Sequence, residues 1–463
     1  MPEEEAAYSP PENGFRTFVS LWVSQAFSVF GSQLSSFAVA VWLTTGLYPN
    51  PDQKGLLAAA LSMMTLAFGL PSVLLAPFAG ILADRVDRKT IMFWTNVGLG
   101  LVSAALAAVL AAGALELWSL VAAMILYSSL QCFHSSAFDA SYAMLVPENQ
   151  LPRANGMMQT IFSLSGILSP AAAAALIGLP ALLRKAPDPG LIARLVARVP
   201  EGAVLAIAMD ALSFLVAAIW LLYLNIPSPR MAGTPALKPA GLWTDVKEGM
   251  AFIGRRRGLM WLLATFAVVN LCSAPFDVLR PMIVRDSLAA DYTRLGLSYE
   301  GVLALMSSAG AIGGLVGGFI ITAWGGLRRK RLYGVLVSLV LSGIAQAVFG
   351  LSKVLYLSIG SIVLTMFALP AANSHSQTIW QTLTPREMQG RVFAVRRVVA
   401  QFTSPVGAAL SGVLGAFDPG LSVSICGAIA LAFTIGQFFN RKVTTVEDDS
   451  IDGAHPERAA VAL

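Results

Sequence analysis

The chain has 463 residues, of which 56% are hydrophobic and only 12% charged, with 40 glycines and a formal net charge of +5. Soluble domains carry about 25% charge, so a water-soluble enzyme of this composition would have to expose long runs of leucine and alanine, and that class is excluded. The positive charge does not point to nucleic acid either, because Lys and Arg fall in short clusters between apolar runs, the pattern that sets membrane topology.

Residues 1–14 read as an acidic cytoplasmic tail. Apolar spans are expected at roughly 15–46, 54–83, 90–113, 116–146, 152–180 and 203–226, each long enough to cross a bilayer core. Between the fifth and sixth, residues 181–202 read as an extracytoplasmic insertion. There Asp188-Pro189 resembles a helix cap, and Leu191, Ile192, Leu195, Val196 and Val199 form one apolar face. Residues 227–257 open on Pro227-Ser228-Pro229 and carry Leu242, Trp243, Val246, Met250 and Ile253 on one helical face, ending at Arg255-Arg256-Arg257. This is the signature of a cytoplasmic linker helix lying along anionic headgroups. A second set of spans follows at roughly 258–286, 298–325, 329–352, 354–384, 388–417 and 419–441, and then a polar tail over 442–463. The expected architecture is an all-α membrane protein of twelve transmembrane helices. They form two six-helix bundles, 15–226 and 258–441. Of the 31 Lys and Arg, 22 fall on segments that are cytoplasmic if both termini are inside, 8 fall outside, and Arg280 lies within a span. Both termini are therefore expected in the cytoplasm.

A shift of 238 residues superimposes Gly80 on Gly318, and Leu145, Pro147 and Arg153 on Leu383, Pro385 and Arg391. Two distant sites sharing one offset indicate a parallel internal repeat, a plan used by transporters. The stretch Gly80-Ile81-Leu82-Ala83-Asp84-Arg85-Val86-Asp87-Arg88-Lys89 resembles the signature between helices two and three of the major facilitator superfamily. It departs where that family usually has glycine and this chain has Asp87, which bears on the turn and not on the charges. The segment from Leu145 to Asn155 is similar to the branch containing macrolide and siderophore exporters. The resemblance implies alternating access, export of a small molecule and a bacterial inner membrane. It also implies a gating role for Asp84, Arg85 and Arg88.

No lysine is preceded by glycine, so the Gly-Lys-Ser/Thr end of a phosphate-binding loop is missing. The expected partners are a small-molecule substrate, protons and the lipid bilayer, with no nucleotide, nucleic acid, cofactor or metal. Polar residues recur at helical spacing on every third span. These are Gln25, Ser28, Ser32 and Ser36; then Ser128, Gln131, Ser135, Asp139 and Tyr142; then Asn270, Ser273, Asp277 and Arg280; and finally Asn373, Gln377 and Gln381. Such stripes suit a neutral, water-filled cavity lined by amides and hydroxyls. They equally suit hydrogen bonding between packed helices. Ionisable groups within spans are costly and usually functional, which makes Asp277, Arg280 and Asp210 candidates for ion coupling, Asp277 foremost. Asp210 could instead cap or join helices. His134 and His375 are minor candidates, with a packed neutral imidazole as the simpler reading of each. Asp139, roughly 10 Å deep at the helical rise, is expected to pair with Arg88 as an inner gate. The loss of all three loop-network charges at the repeat positions (Thr322, Gly326 and Gln377) supports that reading. Gly310, Gly314 and Gly318 read as a close-packing face. Two other roles fit the same chain: uptake or lipid translocation, and a receptor or assembly factor that has lost transport.

Overall fold

In the computed structural model, residues 11, 13–147, 150–186, 190–226, 242–384 and 386–447 are described. Among them no strand occurs. The helices, in order, are α1 (Gly14–Trp42), α2 (Lys54–Arg85), α3 (Arg88–Ala111), α4 (Leu117–Leu145), α5 (Leu151–Arg184), α6 (Leu191–Ala197), α7 (Ala203–Leu222) and α8 (Leu242–Arg255). They continue as α9 (Arg257–Val278), α10 (Arg280–Ser287), α11 (Ala289–Arg294), α12 (Tyr299–Trp324), α13 (Arg331–Leu351), α14 (Leu355–Leu383), α15 (Arg386–Phe417), α16 (Pro419–Phe438) and α17 (Arg441–Thr444). Eleven of the helical segments are long and apolar enough to cross a membrane, and α15 contributes a shorter apolar segment, Pro405–Phe417.

Local chemistry explains the breaks. Asp87, the residue that departs from the loop signature, is the N-cap of α3. Its Oδ2 accepts from the Thr90 backbone N–H at 3.1 Å and from the Thr90 hydroxyl at 2.7 Å. Its φ of −56° needs no glycine, so the aspartate replaces a flexible turn with a capped one. Asp418 caps α16 in the same way, with Pro419 in the first turn. The expected cap at Asp188-Pro189 lies outside the described residues, and the helix there starts after Gly190. The expected span 258–286 divides at Leu279 into α9 and the short α10, because Pro281 cannot donate to a continuing helix. In the insertion, α6 is held by Arg184, which donates to the Ala197 and Val199 carbonyls at 2.9 and 2.6 Å, while Leu191, Ile192 and Leu195 remain exposed.

The chain forms two compact units, one from Met1–Gly46 with Ala67–Leu237 and one from Leu47–Leu66 with Lys238–Leu463. In the first, α1 packs on α5 and α7, and α3 packs on α4 and α7. Phe18, Leu21, Ile91, Met92, Phe138 and Leu145 form a core toward one end. In the second, α9 packs on α15 and α16, and α13 packs on α14 and α16. Its core gathers Leu259, Leu262, Leu336, Ile379, Trp380 and Val392, and Ile253 of α8 joins it. The first turns of α2 belong to this second unit because small residues allow it: Gly412 of α15 lies against Ser62, and Gly415 against Ala58. Lys54 adds an ion pair to Asp286 at 3.7 Å, and Arg285 donates to the Tyr48 carbonyl at 2.8 Å.

The close-packing glycines of α12 differ from the sequence expectation. Gly310, Gly313 and Gly317 meet α14, whereas Gly318 faces open space and Gly314 makes only ordinary contact. The reason is that α12 turns its Gly313–Gly317 ridge onto the backbone carbonyls of Val363 and Phe367. Large apolar side chains such as Phe78, Phe319 and Phe417 are exposed, and Trp118, Trp324, Tyr356 and Tyr223 sit at helix ends. Apolar faces with aromatic ends are what a bilayer solvates.

Candidate functional site

The polar residues of α1 turn into the first unit. Gln25 and Ser28 are buried, so the structure removes them from a water-filled lining and places them at a helix contact. The Gln25 carboxamide lies 3.0 to 3.2 Å from His134 Nε2, and His134 Nδ1 lies 3.2 Å from Thr95 Oγ1. Thr95 donates its own hydrogen to the Ile91 carbonyl at 2.7 Å. Nδ1 therefore carries a hydrogen directed at Thr95, and Nε2 meets the Gln25 carboxamide. His134 joins α1, α3 and α4 through both ring nitrogens.

Two turns further along α1, Ser32 reaches Asp210 of α7. Ser32 Oγ is 3.3 Å from Asp210 Oδ1, Ser103 of α3 donates to Asp210 Oδ2 at 2.9 Å, and Tyr127 of α4 donates to Ser32 Oγ at 2.8 Å. This approach depends on Gly31, since a methyl group there would meet Ser213 Oγ at 2.5 Å and the Asp210 backbone at 3.1 Å. Asp210 is 1% exposed, and among the described residues no basic side chain lies within 4 Å of its carboxyl group. Asp277 has the opposite setting. It is 61% exposed, and it accepts directly from the Arg280 guanidinium, one turn along the chain.

On α4, Ser128 donates to the Phe68 carbonyl, while Gln131 and Ser135 are half-buried neighbours 3.5 Å apart. The Gln131 carbonyl oxygen is buried without a partner. At the start of α3, Arg88 is buried and donates to the carbonyls of Ala83 at 3.0 Å and Ala140 at 2.8 Å. It thus reaches α4 beside Asp139, which is itself exposed. Lys89 donates to the Leu222 carbonyl at 3.0 Å, at the negative end of the α7 dipole. Arg85 is exposed, and the side chain of Asp84 lies outside those described, as do those of Tyr142, Arg153 and Arg391.

In the second unit, Asn373, Gln377 and Gln381 form an exposed amide stripe on α14, as their spacing predicts, and Asn270 and Ser273 are half-buried on α9. Arg396 of α15 donates to Gln377 Oε1 at 2.5 Å and to Ser376 Oγ at 3.3 Å, with its guanidinium 5.7 Å from the Trp380 ring centre. His375 holds the turn between α12 and α13. Its Nδ1 donates to the Ala371 carbonyl at 2.7 Å, and its Nε2 accepts from the Leu327 N–H at 2.8 Å.

A groove of about 360 Å³ runs between α1 and α5 within the first unit. Trp22, Phe27, Phe30, Leu164 and Leu168 line it, with Thr160 and Ser165 as its polar points. Its walls come from the opposite face of α1 to the one carrying the Gln25–Ser32 stripe. Sequence reasoning missed this groove, because an apolar helix face is also what lipid requires. It also missed Thr95, Ser103 and Tyr127. Their only signal was serine and threonine at helical spacing on α3, and one tyrosine next to Ser128.

Residues 21–408 match the Major Facilitator Superfamily. Macrolide efflux protein A of Streptococcus pyogenes is 26% identical over 402 residues, covering 86% of this chain and 88% of that protein. An uncharacterized MFS-type transporter of Bacillus subtilis is 26% identical over 437 residues, covering 92% and 93%. Among solved structures, a peptide transporter of the POT family in complex with alafosfalin superposes with a TM-score of 0.69 at 12% identity, covering 93% of this chain and 95% of that one. An inward-facing bacterial homologue of the human lysosomal transporter Spinster superposes with a TM-score of 0.64 at 14% identity, covering 96% and 98%. The match spans most of the chain, the helices are of membrane-crossing length and the polar residues line helix faces: the chain belongs to the Major Facilitator Superfamily and is a multi-pass membrane transporter, not an enzyme.

Proposed function

We propose that the protein exports an amphiphilic small molecule, of the macrolide-like or siderophore class, across a bacterial plasma membrane by alternating access, driven by protons. Twelve spans in two six-helix repeats with both termini cytoplasmic complete this reading. Its support is that the first unit pairs α1 with α5 and α7 and α3 with α4 and α7, while the second pairs α9 with α15 and α16 and α13 with α14 and α16. The observation that carries the substrate class is the groove lined by Trp22, Phe27, Phe30, Leu164 and Leu168. Its volume lies in the range of small-molecule sites, and it offers aromatic and aliphatic surface with few polar points. A multiply charged substrate would require several cations there, and the groove residues supply none. The relatives named for macrolide efflux support the same class and direction.

The test is accumulation of radiolabelled erythromycin in inverted membrane vesicles, where export reads as uptake. Accumulation that requires a pH gradient and collapses with a protonophore is the expected result. Accumulation equal to that of vesicles lacking the protein would overturn the reading.

A further inference from the structure

We propose that Asp210 is the site at which the coupling proton binds, and that α1 links this site to the substrate groove; the assignment rests on the proton-driven reading above. Hydrogen-bond accounting carries it. Ser32 has one hydroxyl hydrogen and two acceptors within reach, the Ser28 carbonyl at 2.8 Å and Asp210 Oδ1 at 3.3 Å. The shorter contact takes the hydrogen, and the Ser32 oxygen already accepts from Tyr127. The remaining lone pair of Ser32 faces Asp210, so a hydrogen on Oδ1 completes the network, with Ser103 donating to Oδ2. An ionised carboxylate in the same place would have only two hydroxyl donors, Ser103 and a Ser32 drawn away from the Ser28 carbonyl, and among the described residues no cation within 4 Å. That arrangement is the costly one in a bilayer-embedded bundle.

The neighbours leave little else to perform this role. The ionisable groups on elements packed around α7 are Arg16 at the start of α1, Arg88 and Lys89 at the start of α3, Arg153 and Arg184 at the ends of α5, and Tyr127, Cys132, His134, Asp139 and Tyr142 on α4. Of these, Tyr127 enters the network. Arg88 is fifteen residues from Ser103 along α3, about 22 Å at the helical rise. Asp277, by contrast, has its arginine attached.

Loading takes a proton from water on the side to which the site opens and forms the Asp210 O–H bond. Release breaks that bond and returns the proton to water on the other side. On release, Ser32 must turn its hydrogen from the Ser28 carbonyl to the carboxylate, and Tyr127 must follow it. This re-aims hydroxyls on α1 and α4. The next turns of α1 carry Phe30 and Phe27 of the groove, and Ser169 of α5 donates to the Phe30 carbonyl at 3.1 Å. The charge at Asp210 is thereby felt at the α1–α5 seam.

The experiment is infrared difference spectroscopy of the full chain in proteoliposomes during a pH titration, combined with erythromycin transport in the same vesicles. A titrating carboxylic-acid carbonyl band is expected in the wild type and is lost in Asp210→Asn, together with the pH-gradient-driven component of transport. Ser103→Ala keeps the carboxyl group but removes the donor to its oxygen, so the band moves to higher wavenumber. This variant decides the matter if Asp210→Asn does not fold. A band that is absent, that survives Asp210→Asn, or that ignores Ser103→Ala overturns the proposal and leaves the exporter reading intact. The expected band with no pH-driven movement of erythromycin overturns the exporter reading and leaves the proton site standing.

Discussion

Adding one methyl group at two glycines of α12 separates helix packing from helix propensity. At Gly313 a Cβ would lie 2.6 Å from the Val363 carbonyl oxygen and 3.1 Å from the Val363 Cα. That falls about 0.8 Å short of the 3.4 Å at which ordinary contact begins, and the obstacle is backbone, which cannot rotate away. At Gly318, five residues on, nothing lies within 4 Å. Both alanines gain the same helix propensity, about 1 kcal/mol over glycine, so this contribution cancels between them. What remains is the overpacking cost at Gly313, about 1–3 kcal/mol. For a unit of this size about 2–4 °C of Tm corresponds to each kcal/mol, so Gly313→Ala should melt about 2–12 °C below Gly318→Ala. Thermal melting of the two purified variants in one detergent, followed by tryptophan fluorescence, makes the comparison. Equal midpoints, or a lower midpoint for Gly318→Ala, would refute the packing described for α12 and α14 and favour the Gly310–Gly314–Gly318 face.

Three further outcomes follow from single contacts. Asp87→Ala should cost about 0.5–2 kcal/mol by removing the α3 cap, read as a lower melting midpoint that Asp87→Asn restores. His375→Ala should leave the Leu327 N–H without its acceptor, at about 1–3 kcal/mol, and hydrogen exchange should rise selectively in the turn between α12 and α13. Ala26→Trp should fill the groove between α1 and α5 and abolish erythromycin accumulation in inverted vesicles at an unchanged melting midpoint; undiminished accumulation would place the substrate elsewhere.

Most of the long helices were legible in the sequence, because apolar composition and length mark them, although the expected 258–286 divides at Leu279. The expected 90–113 is Arg88–Ala111, and the expected 354–384 is Leu355–Leu383. Charge spacing across the junction of α9 and α10 also brought out the contact between Asp277 and Arg280, since residues three apart on helical backbone are neighbours. The amide stripe of α14 followed from period alone.

Which way a stripe faces was not legible, because periodicity specifies a helix face but not the neighbour against which that face packs. Gln25, Ser28 and Ser32 have the spacing of a cavity lining, yet α1 turns them onto α3, α4 and α7, and its apolar side makes the groove. Asp210 looked like one acid on a helix outside the polar stripes. Its partners Ser32, Ser103 and Tyr127 lie 83 to 178 positions away in the chain, and only the crossing of four helices brings them together. The amino-acid order by itself determined that this chain is a multi-pass membrane protein, because that depends on local hydration. Tertiary packing alone decided which buried polar groups met, since a hydrogen bond across helices requires two backbones to approach within a few ångströms, as the missing side chain of Gly31 permits.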